Sequence, residues 1–283
     1  MKTILVPTDF SKNANHALKY AMEIAKKENA KIILLHVYQN IYVGPDVPYQ
    51  YAASVFGITI ESTDKKLKLL RSKIEAEKIE CEAFKIEGSI VDSIINVSEK
   101  KKPYLIVMGT KGASGIAELI MGSNTAKVIE KAKCPVISVP ERSKLSTLQN
   151  ISYATDYHKS DIDALKSLVK IASLFDATIT IMHVANQLNA YHNEEEFMLK
   201  FKKRVTAKIK YPKIHYKLIY GMNPVTALES YIKKEKPDLF AMSMHHRNLY
   251  EKLFGTSTTK KLSYHSKVPL LAFHYKQDSI FFI

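Results

Sequence analysis

The segment LIVMGTKGASGIAELIMGSNTAKV, Leu105 to Val128, decides how the rest of the chain is read. It opens as a short apolar run, Leu105-Ile106-Val107-Met108, of the kind that forms a buried parallel strand. A glycine-containing loop follows, and helical patterning resumes after Gly122-Ser123-Asn124-Thr125. Gly109, Gly112 and Gly122 give the spacing G-x2-G-x9-G-S-N. Glycine lets main chain approach an oxyanion closely, and N–H groups at a helix N-terminus favour negative charge, so the pattern predicts a phosphate cradle. Ser123, Asn124 and Thr125 are placed to cap that helix, to donate to a phosphate, or to do both. An ordinary strand-to-helix loop also carries glycines and a Ser/Thr cap. The complete spacing directly after an apolar strand favours nucleotide binding.

Outward from this segment the chain repeats itself. Ile4-Leu5-Val6-Pro7-Thr8-Asp9-Phe10 overlays Ile151-Ser152-Tyr153-Ala154-Thr155-Asp156-Tyr157 at an offset of 147, and the same offset carries His36-Val37 onto His183-Val184. Pro103 with Pro237 and Pro135 with Pro269 continue the match at an offset of 134, as a longer loop after the second strand of the first copy requires. Two copies of one domain are expected, at residues 1–142 and 149–283.

In the first copy, strands are expected at 3–7, 31–37, 81–86, 104–108 and 136–139, and helices at 12–27, 60–77, 89–100 and 123–132. Ala14, Ala17, Leu18, Ala21, Ile24 and Ala25 form the apolar face of the first helix. Tyr38, Tyr42, Tyr49, Tyr51 and Phe56, with Pro45 and Pro48, read as an aromatic loop. Apolar strands separated by helices imply an α/β fold, a doubly wound parallel sheet covered on both faces.

Composition limits the function classes. The chain has 283 residues, 46% of them hydrophobic, which suits two globular domains. Two cysteines, Cys81 and Cys134, make no paired spacing for a disulfide framework or zinc knuckle, and fit a reducing compartment. The N-terminal apolar run is too short for a secretory signal and no stretch is long enough to span a membrane, so a cytoplasmic protein is expected. Forty-two Lys+Arg against 28 Asp+Glu leave a net charge of +14. The lysines are scattered, and no recognition helix, zinc finger or aromatic RNA-binding pattern accompanies them, which argues against a nucleic-acid function.

Val6-Pro7-Thr8-Asp9-Phe10-Ser11, Leu35-His36-Val37 and Gly109-Thr110-Lys111-Gly112 through Gly122-Ser123-Asn124-Thr125 resemble the universal stress protein family, specifically its tandem members. The resemblance implies Rossmann-like domains with strand order 3-2-1-4-5, whose order reverses between strands one and four. In such sheets ligands bind beyond the strand C-termini at that reversal. In the family, the G-x2-G-x9-G-[ST] pattern marks the ATP-binding branch. By that resemblance Asp9 contacts the ribose or a phosphate-bound cation, and Pro7 and Thr8 line the pocket. Val37 main chain meets the adenine edge, and Gly109, Gly112, Gly122, Ser123, Asn124 and Thr125 hold the phosphates of ATP, with Mg2+. Lys111 stands where the family pattern is free, and Asp9 alternatively caps the first helix.

The second copy departs from this pattern. Ser243 and His246 replace Gly109 and Gly112, and the next spacing is one residue shorter, although Gly255-Thr256-Ser257 and Asp156 persist. A degenerate second site follows, because a histidine Cβ crowds the phosphate approach. His245-His246-Arg247, with His265 and His274 downstream, invites a metal or anion reading, but adjacent side chains diverge and a solvated loop accounts for them better. His36 and His183 occupy matched strand ends and read as structural. Neither a nucleophile elbow, nor a G-x4-G-K-[ST] loop, nor a kinase catalytic loop is present, so any ATP hydrolysis is expected to be slow. The leading reading is a regulatory ATP-binding switch; a weak ATPase or nucleotidyl transferase and a nucleotide-free scaffold are the alternatives. The fifth strands, Val136–Val139 and Leu270–Phe273, would each be an apolar sheet edge alone. By the resemblance they pair with each other as a pseudo-dimer, and further homodimerisation stays open. The tail from Asp278 to Ile283 is expected to pack on a neighbour or its own domain.

Overall fold

The computed structural model describes residues 1–39, 49–110, 122–143, 148–185, 193–243 and 267–274, with main chain alone over 49–60. The Lys111, Gly112, His245-His246-Arg247, His265, Gly255 and C-terminal tail readings fall outside these residues. The first copy runs β1 (Thr3–Pro7), α1 (Lys12–Glu28), β2 (Lys31–Tyr38), α2 (Tyr49–Ala76), β3 (Cys81–Glu87), α3 (Ile90–Lys101), β4 (Leu105–Gly109), α4 (Ser123–Lys131) and β5 (Val136–Val139). The second runs β6 (Asn150–Ala154), α5 (Asp161–Phe175), β7 (Thr178–Ala185), α6 (Glu194–Lys208), β8 (Ile214–Tyr220), α7 (Pro224–Glu235), β9 (Leu239–Ser243) and β10 (Leu270–Phe273).

All ten strands form one sheet in the order β3-β2-β1-β4-β5-β10-β9-β6-β7-β8. Each copy has the expected order 3-2-1-4-5, parallel throughout. The copies meet where β5 and β10 pair antiparallel, Ser138 with Leu270, Ile137 with Leu271 and Val136 with Ala272. Ile137 and Leu271 are equivalent positions in the repeat, so the junction has the register of a local twofold axis between them. Apolar side chains alternate to two layers. On one face α1 and α5 pack against each other and bury Ile4, Val6, Ile137, Tyr153 and Leu271 in a cluster common to both copies. On the other, Leu5, Ile106, Val136, Phe240 and Ala272 lie under α3, α4 and α7.

The local chemistry of the ends repeats as well. Ser11 caps α1 by accepting from the Ala14 amide at 3.1 Å, and α1 closes on Asn29 in the left-handed region, matched by Asp176 after α5. Lys102 and Lys236 end α3 and α7 in the same way. All six residues expected on the apolar face of α1 are buried. One boundary differs from expectation. α2 starts at Tyr49 rather than near residue 60, so Tyr49, Tyr51 and Phe56 belong to a helix and not to a loop. After Pro48 no proline interrupts the run, and aromatic residues are only weakly unfavourable in helices.

Candidate functional site

The crevice forms where β1 and β4, neighbours in the sheet, both end. Ile4 pairs with Leu105 and Leu5 with Ile106, and counting on in register places Thr8 level with Gly109. Two motifs a hundred residues apart in sequence are thereby adjacent. The β1 end is fixed by its own polar groups. The Thr8 amide donates to the Leu35 carbonyl at 2.8 Å, and the Thr8 hydroxyl accepts from the Phe10 amide at 3.1 Å. Phe10 itself turns the chain with φ 63°, as Tyr157 does in the second copy with φ 67°. His36 Nδ1 donates to the Thr8 carbonyl at 2.8 Å, which fixes the ring on the strand end, and His183 repeats this bond to Thr155 at 2.8 Å. Both histidines thus brace a strand end through one ring nitrogen.

Asp9 is half-buried, and its Oδ1 accepts from the Ser11 amide at 3.0 Å. The N-cap of α1 is Ser11, so the alternative reading of Asp9 as the cap is corrected: Asp9 makes the turn before it. Pro7 and Thr8 are buried beside it. β2 outruns β1, since Pro7 pairs with Leu35 while β2 continues to Tyr38, and Val37 lies in that overhang.

At the β4 end, Gly109 does not need glycine for its backbone angles but for space. A Cβ there would lie 2.9 Å from the Asn13 side chain and 3.1 Å from its backbone carbon. Asn13 in turn donates to the Thr110 hydroxyl at 3.2 Å. The Gly122 amide donates to the Thr110 carbonyl at 2.5 Å, which holds together the two ends of segment 111–121 and sets α4 directly behind β4. Gly122 is the N-cap residue with φ −60°, ψ 145°, a conformation open to any residue. In the first turn Ser123 and Asn124 are exposed. Thr125 is buried, its hydroxyl donating to the Gly109 carbonyl at 2.8 Å. What Thr125 can offer a phosphate is its amide, because its hydroxyl is committed inward. Helical geometry leaves the first amides of α4 without acceptors inside the helix. A helix start, two exposed polar side chains and a carboxylate thus border one crevice at the reversal of strand order, an arrangement suited to a phosphorylated ligand with or without a cation.

The second copy carries different polar groups at the equivalent strand ends. Ser243 stands where Gly109 does, and its hydroxyl pairs with Tyr153 at 2.7 Å. Tyr153 also donates to Asp161 Oδ1 at 2.9 Å, and Thr155 donates to Asp161 Oδ2 at 2.6 Å. Asp161 is wholly buried, with both oxygens satisfied. This network was not anticipated from the sequence. Its signal was there: Asp161 replaces Ala14 on the buried face of a helix and Tyr153 replaces Val6 in a core strand. Of the histidines considered as metal ligands, His274 instead donates through Nε2 to the Ile129 carbonyl. Among the described residues no group of three or more His, Cys, Asp or Glu is arranged to hold a metal ion.

A tandem, doubly wound α/β chain whose copies share one strand-end arrangement but carry different polar groups at it is thus defined. The model of the universal stress protein family matches residues 1–140 and again 147–274, and the chain belongs to that family. It is 32% identical over 146 residues to universal stress protein MJ0531 of Methanocaldococcus jannaschii, covering 50% of this chain and 84% of that protein. A universal stress protein from Archaeoglobus fulgidus has the same fold over nearly the whole length, with TM-score 0.70 at 21% identity, covering 98% of this chain and 97% of that one. A family member from Arabidopsis thaliana, 22% identical and with TM-score 0.36 over 50% of this chain and 92% of its own, has AMP bound.

Proposed function

We propose that the first copy, residues 1–142, binds ATP with Mg2+ in the β1/β4 crevice and that the chain acts as a cytoplasmic stress-response switch, changing conformation or partner with nucleotide occupancy. The observation that carries the reading is the placement of the α4 N-terminus against the end of β4, beside Asp9 at the end of β1. Gly109, Gly112, Gly122, Ser123, Asn124 and the Thr125 amide would hold the phosphates, Asp9 the ribose or the cation, and Pro7, Thr8 and the Val37 main chain the base side. The bound cation would neutralise phosphate charge. Asp9, already oriented by the Ser11 amide, is the described carboxylate at this crevice suited to face it.

The second copy, residues 149–283, serves as a built-in dimer partner through the β5–β10 junction. Two free cysteines agree with a reducing compartment, and no described helix is long and apolar enough to cross a membrane.

Calorimetric titration of the full chain with ATP and magnesium, after removal of any co-purified nucleotide, tests the reading. One site per chain is expected, lost when Gly109 and Gly112 are both replaced by bulkier residues. Two sites would show that the second crevice opens; absence of binding would leave a scaffold.

A further inference from the structure

The second copy reaches into the first at the far end of the very helix that would hold the phosphates. α4 has nine residues, and only Thr125, Val128 and Ile129 of it are buried. A helix this short has little stability of its own, so its two ends decide where it sits. Its last carbonyls lack donor partners inside the helix. The Ala132 amide serves Val128 at 2.9 Å. The next carbonyl, that of Ile129, receives the Nε2–H of His274 from the other copy. The β5–β10 register brings the imidazole there: Ala272 pairs with Val136, and two further steps place His274 opposite Cys134, in the turn between α4 and β5. The half-buried His274 ring lies against that turn, with the Cys134 carbonyl as its second main-chain neighbour.

The contact is one-way in the repeat. The residue of the first copy equivalent to His274, at the offset of 134, is Pro140, which has no side-chain donor and no N–H to give back.

We propose that His274 is a positioning residue for the nucleotide site: by capping the C-terminus of α4 it fixes where the N-terminus of α4 presents its amides, so that the degenerate copy sets the ligand affinity of the intact one. The inference rests on the ATP reading above. Energetically it is preorganisation, since a helix already held at one end loses less freedom when a ligand engages the other.

The test is ATP-magnesium calorimetry on the full chain with His274→Phe, which keeps a ring and removes the donor, and His274→Gln, whose amide NH2 can replace Nε2–H. Hydrogen exchange of the α4 amides is followed in parallel. An affinity about fivefold weaker in the Phe variant, with faster α4 exchange and recovery in the Gln variant, is expected from loss of one hydrogen bond. Unchanged affinity in the Phe variant, or a Gln variant no better than Phe, overturns the proposal while leaving ATP binding intact. Failure of the unaltered protein to bind ATP overturns both readings. Where the Phe variant does not fold, 15N chemical shifts of the wild-type His274 ring decide: an Nε2–H tautomer whose shift moves on ATP saturation supports the coupling, and a shift indifferent to ATP overturns it.

Discussion

The two strand-end crevices are built on the same backbone and differ in what they do with their polar groups. In the first copy, Thr8 and Asp9 accept from nearby main-chain amides, Asn13 reaches the Thr110 hydroxyl after β4, and Gly109 leaves room for the Asn13 side chain. In the second, Tyr153, Thr155, Asp161 and Ser243 turn inward and satisfy each other. A buried carboxylate with two hydroxyl donors is tolerable only as a closed set, since each member left alone would bear a desolvation cost. The second copy thus buries a carboxylate-centred network where the first has Val6 and Ala14 in its apolar core. Gly109 packs against Asn13, and the equivalent positions of the second copy hold Ser243 and the shorter Ser160.

Removing the centre of the closed set should have the largest effect. Asp161→Ala leaves two buried hydroxyls without their acceptor and is expected to lower stability by about 3 kcal/mol in urea unfolding, with ATP affinity of the first copy unaltered. Gly109→Ser imposes the second copy's residue on the first. It should cost about 2 kcal/mol through overpacking against Asn13 and weaken ATP binding about tenfold. Adding Asn13→Ser should restore the stability but not the affinity; recovery of both would mean that Gly109 matters only for packing.

The matched threonines offer a smaller contrast. Both accept from a turn amide, but Thr155 also donates to the buried Asp161, so Thr155→Val should cost about 2 kcal/mol and Thr8→Val about 1 kcal/mol. Equal losses would show that the network is not cooperative.

The weakest effect is on pH. Burial pushes the His274 imidazole below its ordinary pKa of 6.5, so below that value the unfolded chain binds the proton that the folded chain refuses. Stability should therefore fall as pH drops below about 6.5 until the folded-state pKa is reached, and it should fall less in His274→Gln. Urea midpoints at neutral and mildly acidic pH check the sign.

Much of the fold was legible because it rests on long-range repetition and on apolar runs. Leu105–Met108 and Ile32–Leu35 are too continuous to be half-exposed, and both are fully buried. The start of α2 was hidden, because aromatic residues after Pro48 carry no strong helical or loop preference. At the site, the sequence marked Gly109 as special but for a different cause than the structure supplies: room for Asn13, a residue thirteen places into the chain, is a tertiary fact. Thr125 reads as a phosphate ligand from its neighbours Ser123 and Asn124, and only helix orientation shows its hydroxyl pointing to Gly109. The Asp161 network was written in two local contradictions, a carboxylate and a tyrosine at core positions, that periodicity alone does not pair.

The β5–β10 junction also changes how assembly responds to dilution. Two separate copies of such a domain would come apart as their amount in the cell fell. Here the partner is tethered by the ten residues between Val139 and Asn150, and a short tether holds its ends at an effective concentration on the order of millimolar. The ten-stranded sheet is therefore complete in a single molecule, however scarce the protein becomes.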